Sequence, residues 1–274
     1  MLSETVVLLG QGLYKTIPDE IKINCLPTAS ELEYVGAEDF DTTMVRTVLP
    51  QVVEGGNEMD FGELLEIDYE WICRCLRMKS YGPYFTTNKI YCPKCNKAHQ
   101  GSYKVDLRNV GINALPAKFV NKMTISKEEF IDVEDDFVIQ LITIQDHIAM
   151  EKDKLFQRSD GSRNIALSRL CYMVKQIGTQ KNVTPIDVRT YIKKNLSPAD
   201  YEILKDEAST YDNYGLQITG KVTCPVCNDK EAYFIALQQD KFFRPSVGDI
   251  KEFKSAIRSG DWTQLPGDPS EYVR

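Results

Sequence analysis

At 274 residues, with 42% hydrophobic and 27% charged positions, the chain has the make-up of one large globular domain or two modest ones, which excludes disorder throughout. No apolar run approaches the ~18 residues of a membrane span, and the opening Met1-Leu2-Ser3-Glu4-Thr5 lacks the basic start of a signal peptide, so a soluble, intracellularly made protein is expected. A net charge of -7 and a pI near 5.1 argue against a general nucleic-acid binder, and two histidines, His99 and His147, leave little for imidazole acid–base chemistry.

Residues 1–30 read as extended, with Ile21-Lys22-Ile23-Asn24-Cys25-Leu26 alternating as a half-buried strand. Thr28-Ala29-Ser30-Glu31 has the form of a capping box that opens a short helix. Helical segments are expected over 39–53 and 60–79, around a Gly55-Gly56-Asn57 break, and the turn Ser80-Tyr81-Gly82-Pro83-Tyr84 ends the second. A strand over 84–91 and a returning strand over 101–107 follow, then mixed sequence to 142 with a strand at 137–141. From 143 the pattern turns helical. Leu167, Leu170, Val174 and Ile177 recur at helical steps up to Gly178. Thr184-Pro185-Ile186-Asp187 and Ser197-Pro198-Ala199-Asp200 are near-identical helix openings, each with a hydroxyl cap, a proline and an acid. Strands are expected again over 216–223 and 230–237, a short helix over 249–258, and an extended tail beyond.

These segments predict an α+β protein. Its regions would be an N-terminal α+β region (1–142), an all-helical insert of about four helices (143–213), closing strands (214–258) and an extended tail (259–274).

Cys92-Pro93-Lys94-Cys95 and Cys224-Pro225-Val226-Cys227 are two CPxC knuckles, each preceded by a strand-like run and followed by a polar turn. A two-residue spacer lets both sulfurs of a knuckle reach one metal, and Pro after the first Cys favours the tight turn. Cys92, Cys95, Cys224 and Cys227 together supply the four thiolates of a closed tetrahedral zinc site, which is structural because no position is left for water. Zinc is favoured over iron in such a ribbon. The knuckles are separated by more than a hundred residues. Loop closure costs little more for a long loop than for a short one, so a zinc ribbon split by an inserted domain is expected. A redox dithiol would place a CxxC at a helix start, and neither knuckle sits at one.

His99, four residues after Cys95, is the competing ligand; with four thiolates available it is expected at the surface. Cys73 and Cys75 lie two apart on a helix and face different ways, which makes them poor joint ligands. Cys25 and Cys171 read as small core residues.

The chain has no Gly-rich phosphate loop, nucleophile elbow or HExxH motif. The acid runs Glu128-Glu129 and Glu134-Asp135-Asp136 read as solvated faces. Asp146-His147 reads as a helix cap beside a partly exposed ring. No catalytic residue is assigned. Phe242-Phe243-Arg244 is a candidate partner contact, since aromatics and Arg are enriched at interface centres, or else a strand-end core contact.

Several of these features combine. Residues 64–84 hold an acidic helix opening, an aromatic helix, Arg77 and Ser80-Tyr81-Gly82, then a strand and CPxC. The second CPxC leads to Phe242-Phe243-Arg244-Pro245, and Gly10-Gln11-Gly12-Leu13-Tyr14 lies near the start. The arrangement resembles the zinc-knuckle baseplate proteins, hub or hub-assembly components, of contractile-tailed, T-even-like bacteriophages. The resemblance spans most of residues 1–250. It is weakest over the helical insert and absent over the tail. It implies a non-enzymatic structural or assembly role in the virion tail baseplate, assembly in the host cytoplasm, and contacts with other hub and wedge proteins. No membrane, small-molecule substrate or nucleic acid is implied. The alternative, a nucleic-acid-associated zinc-ribbon factor, is opposed by Lys89, Lys94 and Lys97 near the first knuckle having no Arg cluster beside them.

Overall fold

The computed structural model describes residues 3–34, 37, 39–116, 118–157, 161–216, 221–230, 232–234 and 247–259. The strands are β1 (Glu4–Val7), β2 (Glu20–Ile23), β3 (Tyr84–Cys92), β4 (Lys97–Asp106), β5 (Ile112–Asn113), β6 (Met123–Ile125), β7 (Phe137–Ile139), β8 (Val174–Ile177), β9 (Gln180–Lys181), β10 (Gly215–Leu216), β11 (Lys221–Val222) and β12 (Ala232–Phe234). The helices are α1 (Thr28–Tyr34), α2 (Phe40–Thr43), α3 (Leu49–Val52), α4 (Glu66–Tyr81), α5 (Ile144–Lys152), α6 (Ile165–Met173), α7 (Pro185–Asn195), α8 (Pro198–Tyr211) and α9 (Val247–Ser259), with a π-helical turn over Met44–Val48 joining α2 to α3. The chain is α+β. Among the described residues no helix is long and apolar enough to cross a membrane.

The described residues divide into two compact units. The first draws on Met1–Phe61, Ile67–Leu115 and Gly215–Arg274, the second on Gly62–Glu66 and Pro116–Tyr214.

In the first unit α4 is buried on nearly every side from Ile67 to Met78. A helix sunk in a core has to satisfy any polar side chain it carries, and α4 carries Asp68, Arg74 and Arg77, each almost wholly buried. Arg77 donates to the carbonyls of Gly82 (2.6 Å) and Tyr84 (2.8 Å) and lies over the Tyr81 ring. The Ser80-Tyr81-Gly82 turn is thereby held by the helix it ends. Gly82 sits at φ +85° with Phe253 of α9 against it, where a Cβ would collide with the ring at 2.5 Å. Arg74 donates to the Leu107 carbonyl and lies over Trp71. Trp71 Nε1 in turn donates to the Val7 carbonyl (2.9 Å).

Asp68 gathers the loop that follows β1. Its carboxylate accepts from the Leu9 amide, the Gly10 amide (2.9 Å) and the Tyr14 hydroxyl. A Cβ on Gly10 would lie 2.7 Å from the Tyr14 hydroxyl oxygen and 2.9 Å from the carboxylate, so this close approach requires glycine. Burial pushes the Asp68 carboxyl up to about 6 despite those three donors.

The second unit is not all-helical, which corrects the expectation for 143–213. Its sheet runs β6-β7-β8-β9, all antiparallel, with β8 and β9 inside that range. The expected helix through Ile177 ends at Met173. Beyond it Val174 pairs with Ile139 and Ile177 with Phe137, and Gly178 (φ +53°) starts the turn into β9. Val174 and Ile177 meet helical spacing, but β-branched residues before a Gly-Thr turn also suit a hairpin. The wholly buried β7 beside them provided the partner. The proline-led openings of α7 and α8 form as expected. Thr184 and Ser197 accept from the amides of Asp187 and Asp200, and a capping box closes at Thr184. Asp200 also accepts from the Ile131 amide (2.6 Å), which with the Ser197 hydroxyl holds its carboxyl below the usual range.

The segment Gly62–Glu66 belongs to this second unit through backbone bonds at Leu64–Ile144 (2.8 Å) and Glu66–Ile142 (3.1 Å). Glu66 pairs with His147 Nδ1 (2.7 Å) and with Arg169 (2.7 Å), and Arg169 grips Asp212 through two nitrogens. Removing the shared cation leaves two mostly buried carboxylates side by side. Arg169→Ala is therefore expected to cost about 2–3 kcal/mol, discounted from the ~3–5 kcal/mol of a fully buried pair, whereas the cost of Arg163→Ala at the exposed Glu151 pair should stay under ~1 kcal/mol. Urea denaturation of both variants checks this, and equal costs would show that the network is inert.

The remaining expectations fall partly or wholly on other residues. The strand read over 216–223 includes 217–220, and that over 230–237 includes 231 and 235–237. Phe242, Phe243 and Arg244 and the tail from 260 also lie outside the described residues.

Candidate metal centre

The site is built at one end of the four-stranded antiparallel sheet β11-β12-β3-β4 in the first unit. Hairpin β3–β4 pairs Cys92 with Lys97 and Ile90 with His99. Between them the first knuckle turns tightly. The Asn96 amide donates to the Pro93 carbonyl (3.1 Å) and the Cys95 amide faces Cys92 Sγ (3.4 Å). The second knuckle likewise aims the amide of its second cysteine, Cys227, at the sulfur of its first, Cys224, but its turn closes one residue wider: the Asn228 amide donates to the Cys224 carbonyl (2.9 Å), and the Cys224 amide to the Asp229 carbonyl (2.8 Å). Each knuckle is followed by an asparagine in left-handed backbone, Asn96 at φ 50° and Asn228 at φ 57°. The motif is thus CPxCN twice. Asn tolerates this conformation because its short amide can bond locally, whereas a β-branched residue cannot enter it without strain. Asn228→Val is expected to cost about 1–2 kcal/mol and Asn228→Gly almost nothing, a contrast that thermal denaturation would reveal.

The two knuckles meet because β12 lies on β3, pairing Tyr233 with Tyr91 and Phe234 with Ile90. Sulfur–sulfur distances are 3.5 Å for Cys92–Cys227, 3.3 Å for Cys95–Cys227 and 3.9 Å for Cys95–Cys224. Cys92 also interacts with Cys95 and Cys224, and Cys224 with Cys227, so every pair among the four is engaged. Four sulfurs at ~2.3 Å from a central ion would sit ~3.8 Å apart at the corners of a tetrahedron. The observed separations match such an edge, and the donors are soft, so the residues fit a thiophilic ion.

The thiols are unequal. Burial opposes ionisation of Cys224, but the amides of Cys227 and Val226 aim at its sulfur and bring it down to about 7. Cys95 moves the other way, pushed up to about 12 by its bond with Cys227 and by desolvation. Cys92 is raised by burial, its sulfur also approaching Asp229 Oδ2 at 3.7 Å. A site in which one thiolate forms near neutrality offers a metal ion its first ligand there.

His99 is half-buried, with its Nε2 turned away from solvent, rather than exposed at the surface as the sequence suggested. Directly opposed residues of an antiparallel ladder share a face, so His99 stands on the side of Ile90 and Cys92, both fully buried. Its Nε2 is buried without a hydrogen-bond partner, and it joins Cys92, Cys95 and Cys224 in a group whose ligand atoms all lie within 4.8 Å of one another. These residues could hold a metal ion. The signal was present in the sequence as a histidine four residues after Cys95, but it becomes informative only once the hairpin register is known.

The other cysteines stay apart from this centre. Cys73 and Cys75 are buried on α4, where desolvation raises both thiols well above their ordinary range. Cys171 is buried on α6 and raised to about 12 by the same cause. Cys25 is half-buried, its thiol 3.6 Å from the Lys79 carbonyl. His147 pairs with Glu66, and Asp146 closes the capping box with Thr143 at the start of α5.

The fold and this centre thus define an α+β protein with a cysteine cluster able to bind a metal ion. The family model described as T4 bacteriophage base plate protein matches residues 15–244, and the chain belongs to that family. No curated protein and no solved structure matches it. Membership places the protein in the virion tail, in a structural role among other baseplate proteins. The match takes in the Asp68 helix, both knuckles and Phe242-Phe243-Arg244.

Proposed function

We propose that this baseplate protein is a structural or assembly component of the hub, and not an enzyme, in which a zinc ion at Cys92, Cys95, Cys224 and Cys227 fastens distant parts of the chain. The family match carries the baseplate role, and the four-sulfur arrangement supports the zinc. Bound there, zinc supplies a cross-link and leaves no position open for substrate. Among the described residues the second knuckle gives that sheet two short strands, β11 and β12, and a small core gains most from a metal staple. On this reading the protein is a split zinc ribbon with an inserted domain. Its termini and Phe242-Phe243-Arg244 dock on neighbouring hub and wedge subunits during assembly in the host cytoplasm.

A phage carrying a nonsense codon in this gene tests the role. Infected cells are expected to accumulate hub and wedge proteins without complete baseplates, as seen by electron microscopy of lysates. Normal tails and full infectivity would overturn it. Mass spectrometry of purified tails then separates the two forms of the proposal, since a permanent component is present at a fixed ratio and an assembly factor is absent.

A further inference from the structure

The candidate centre holds five donors for four tetrahedral positions: four thiols and the His99 imidazole. We propose that His99 is a reserve ligand, able to take the metal position of Cys227 and so keep the ion bound when that thiolate is lost. The inference rests on the zinc reading above.

Three observations carry it. First, His99 Nε2 is a buried ring nitrogen without a hydrogen-bond partner, which is costly unless it serves something placed at the cluster. Second, a ring nitrogen of His99 and the sulfurs of Cys92, Cys95 and Cys224 all lie within 4.8 Å of one another, a complete three-sulfur, one-nitrogen set without Cys227. Third, the thiols differ in exposure. Cys92 and Cys224 are fully buried, whereas Cys95 and Cys227 are half-buried; of these two only Cys227 stands outside the set that closes around His99, and it follows Val226, which is 64% exposed. A partly exposed thiolate is more readily lost to competing ligands than a buried one, and at Cys227 the loss leaves a complete set behind. Three thiolates and one imidazole form an established structural zinc set, so the exchange keeps the tetrahedron closed. The β3–β4 ladder presents His99 from a strand already beside the cluster, so little rearrangement is needed.

Metal content and coordination of the full chain test this. Wild type is expected to bind one zinc through four sulfurs, by elemental analysis and X-ray absorption. Cys227→Ala should retain one zinc with three sulfurs and one nitrogen. Cys227→Ala/His99→Ala should be empty. In an otherwise wild-type chain, His99→Ala should release zinc to a chelator about tenfold faster, which needs no cysteine variant to fold. A wild type with zinc whose Cys227→Ala variant is empty though folded, or keeps zinc without a nitrogen ligand, overturns the inference alone. Equal release rates also overturn it. A wild type without metal overturns the zinc reading and takes the inference with it.

Discussion

Cys92→Ser is expected to abolish metal binding and to unfold the sheet β11-β12-β3-β4. Cys92 is fully buried, and its sulfur contacts those of the second knuckle. Structural zinc contributes apparent folding free energy of about 10–16 kcal/mol in small peptide sites, comparable to the ~5–15 kcal/mol net stability of a whole domain. Serine offers a harder and far less acidic oxygen and leaves three thiols pressed together without their ion. The loss should be local at first, because among the described residues the second knuckle's strands join the rest of the first unit through β12 on β3. Hydrogen exchange should therefore accelerate over 84–106 and 221–234, while β7 and β8 of the second unit keep their protection. Elemental analysis should give one zinc per wild-type chain and none in the variant. A Cys92→Ser protein with zinc and unchanged exchange would remove the metal from the account of how this chain is held.

Asp68→Ala is the second substitution with a large expected effect, and its size should depend on pH. The change strands the Leu9 and Gly10 amides and the Tyr14 hydroxyl, all aimed at one buried carboxyl. Leaving three donors without an acceptor is expected to cost about 4 kcal/mol near pH 4. The folded carboxyl lies at about 6, above its ordinary 3.8. The native state therefore binds the proton more tightly than the unfolded chain does. What Asp68 contributes is fully present below pH 3.8 and declines as pH rises through 6. A shift of that size corresponds to a decline of about 3 kcal/mol, so the cost of Asp68→Ala should shrink to about 1 kcal/mol by pH 7. Urea denaturation of wild type and variant at pH 4.5, 5.5 and 7 measures this difference, free of the slopes from other carboxylates. A cost that stays constant over the range would mean that Asp68 titrates like an exposed acid and that its three donors outweigh burial.

Both results depend on features of unequal visibility in the sequence. The two CPxC turns were plain because metal chemistry restricts residue type and spacing at short range. The openings of α7 and α8 were plain for the same kind of reason, since a cap hydroxyl, a proline and an acid act within one turn. Asp68 was not singled out. Its partners lie 54 to 59 residues away, and nothing local distinguishes a buried aspartate from a solvated one on a helix whose neighbours are aromatic and apolar. Arg77 was noticed for its place before Ser80-Tyr81-Gly82, but its role in tying that turn to α4 emerged from two carbonyls that only the bent chain presents.

The errors are equally physical. Val174 and Ile177 satisfied a helical period and formed β8, because a period read from four residues does not include the strand waiting alongside. A count of ligands puts His99 at the surface, whereas its face is decided by the register of β3 against β4. By itself, then, the sequence determined the α+β class, the two knuckle turns, the helix caps and the family, all of which rest on residue types acting over a few positions or on motif order. The shared site of the two knuckles was an expectation from the sequence; tertiary structure alone decided how closely their sulfurs approach, that His99 joins them, that the second unit carries a sheet, and which charges of α4 are buried. Those outcomes depend on pairing between segments far apart in the chain, where each competing register differs by only a few hydrogen bonds and the choice is made by what else becomes buried.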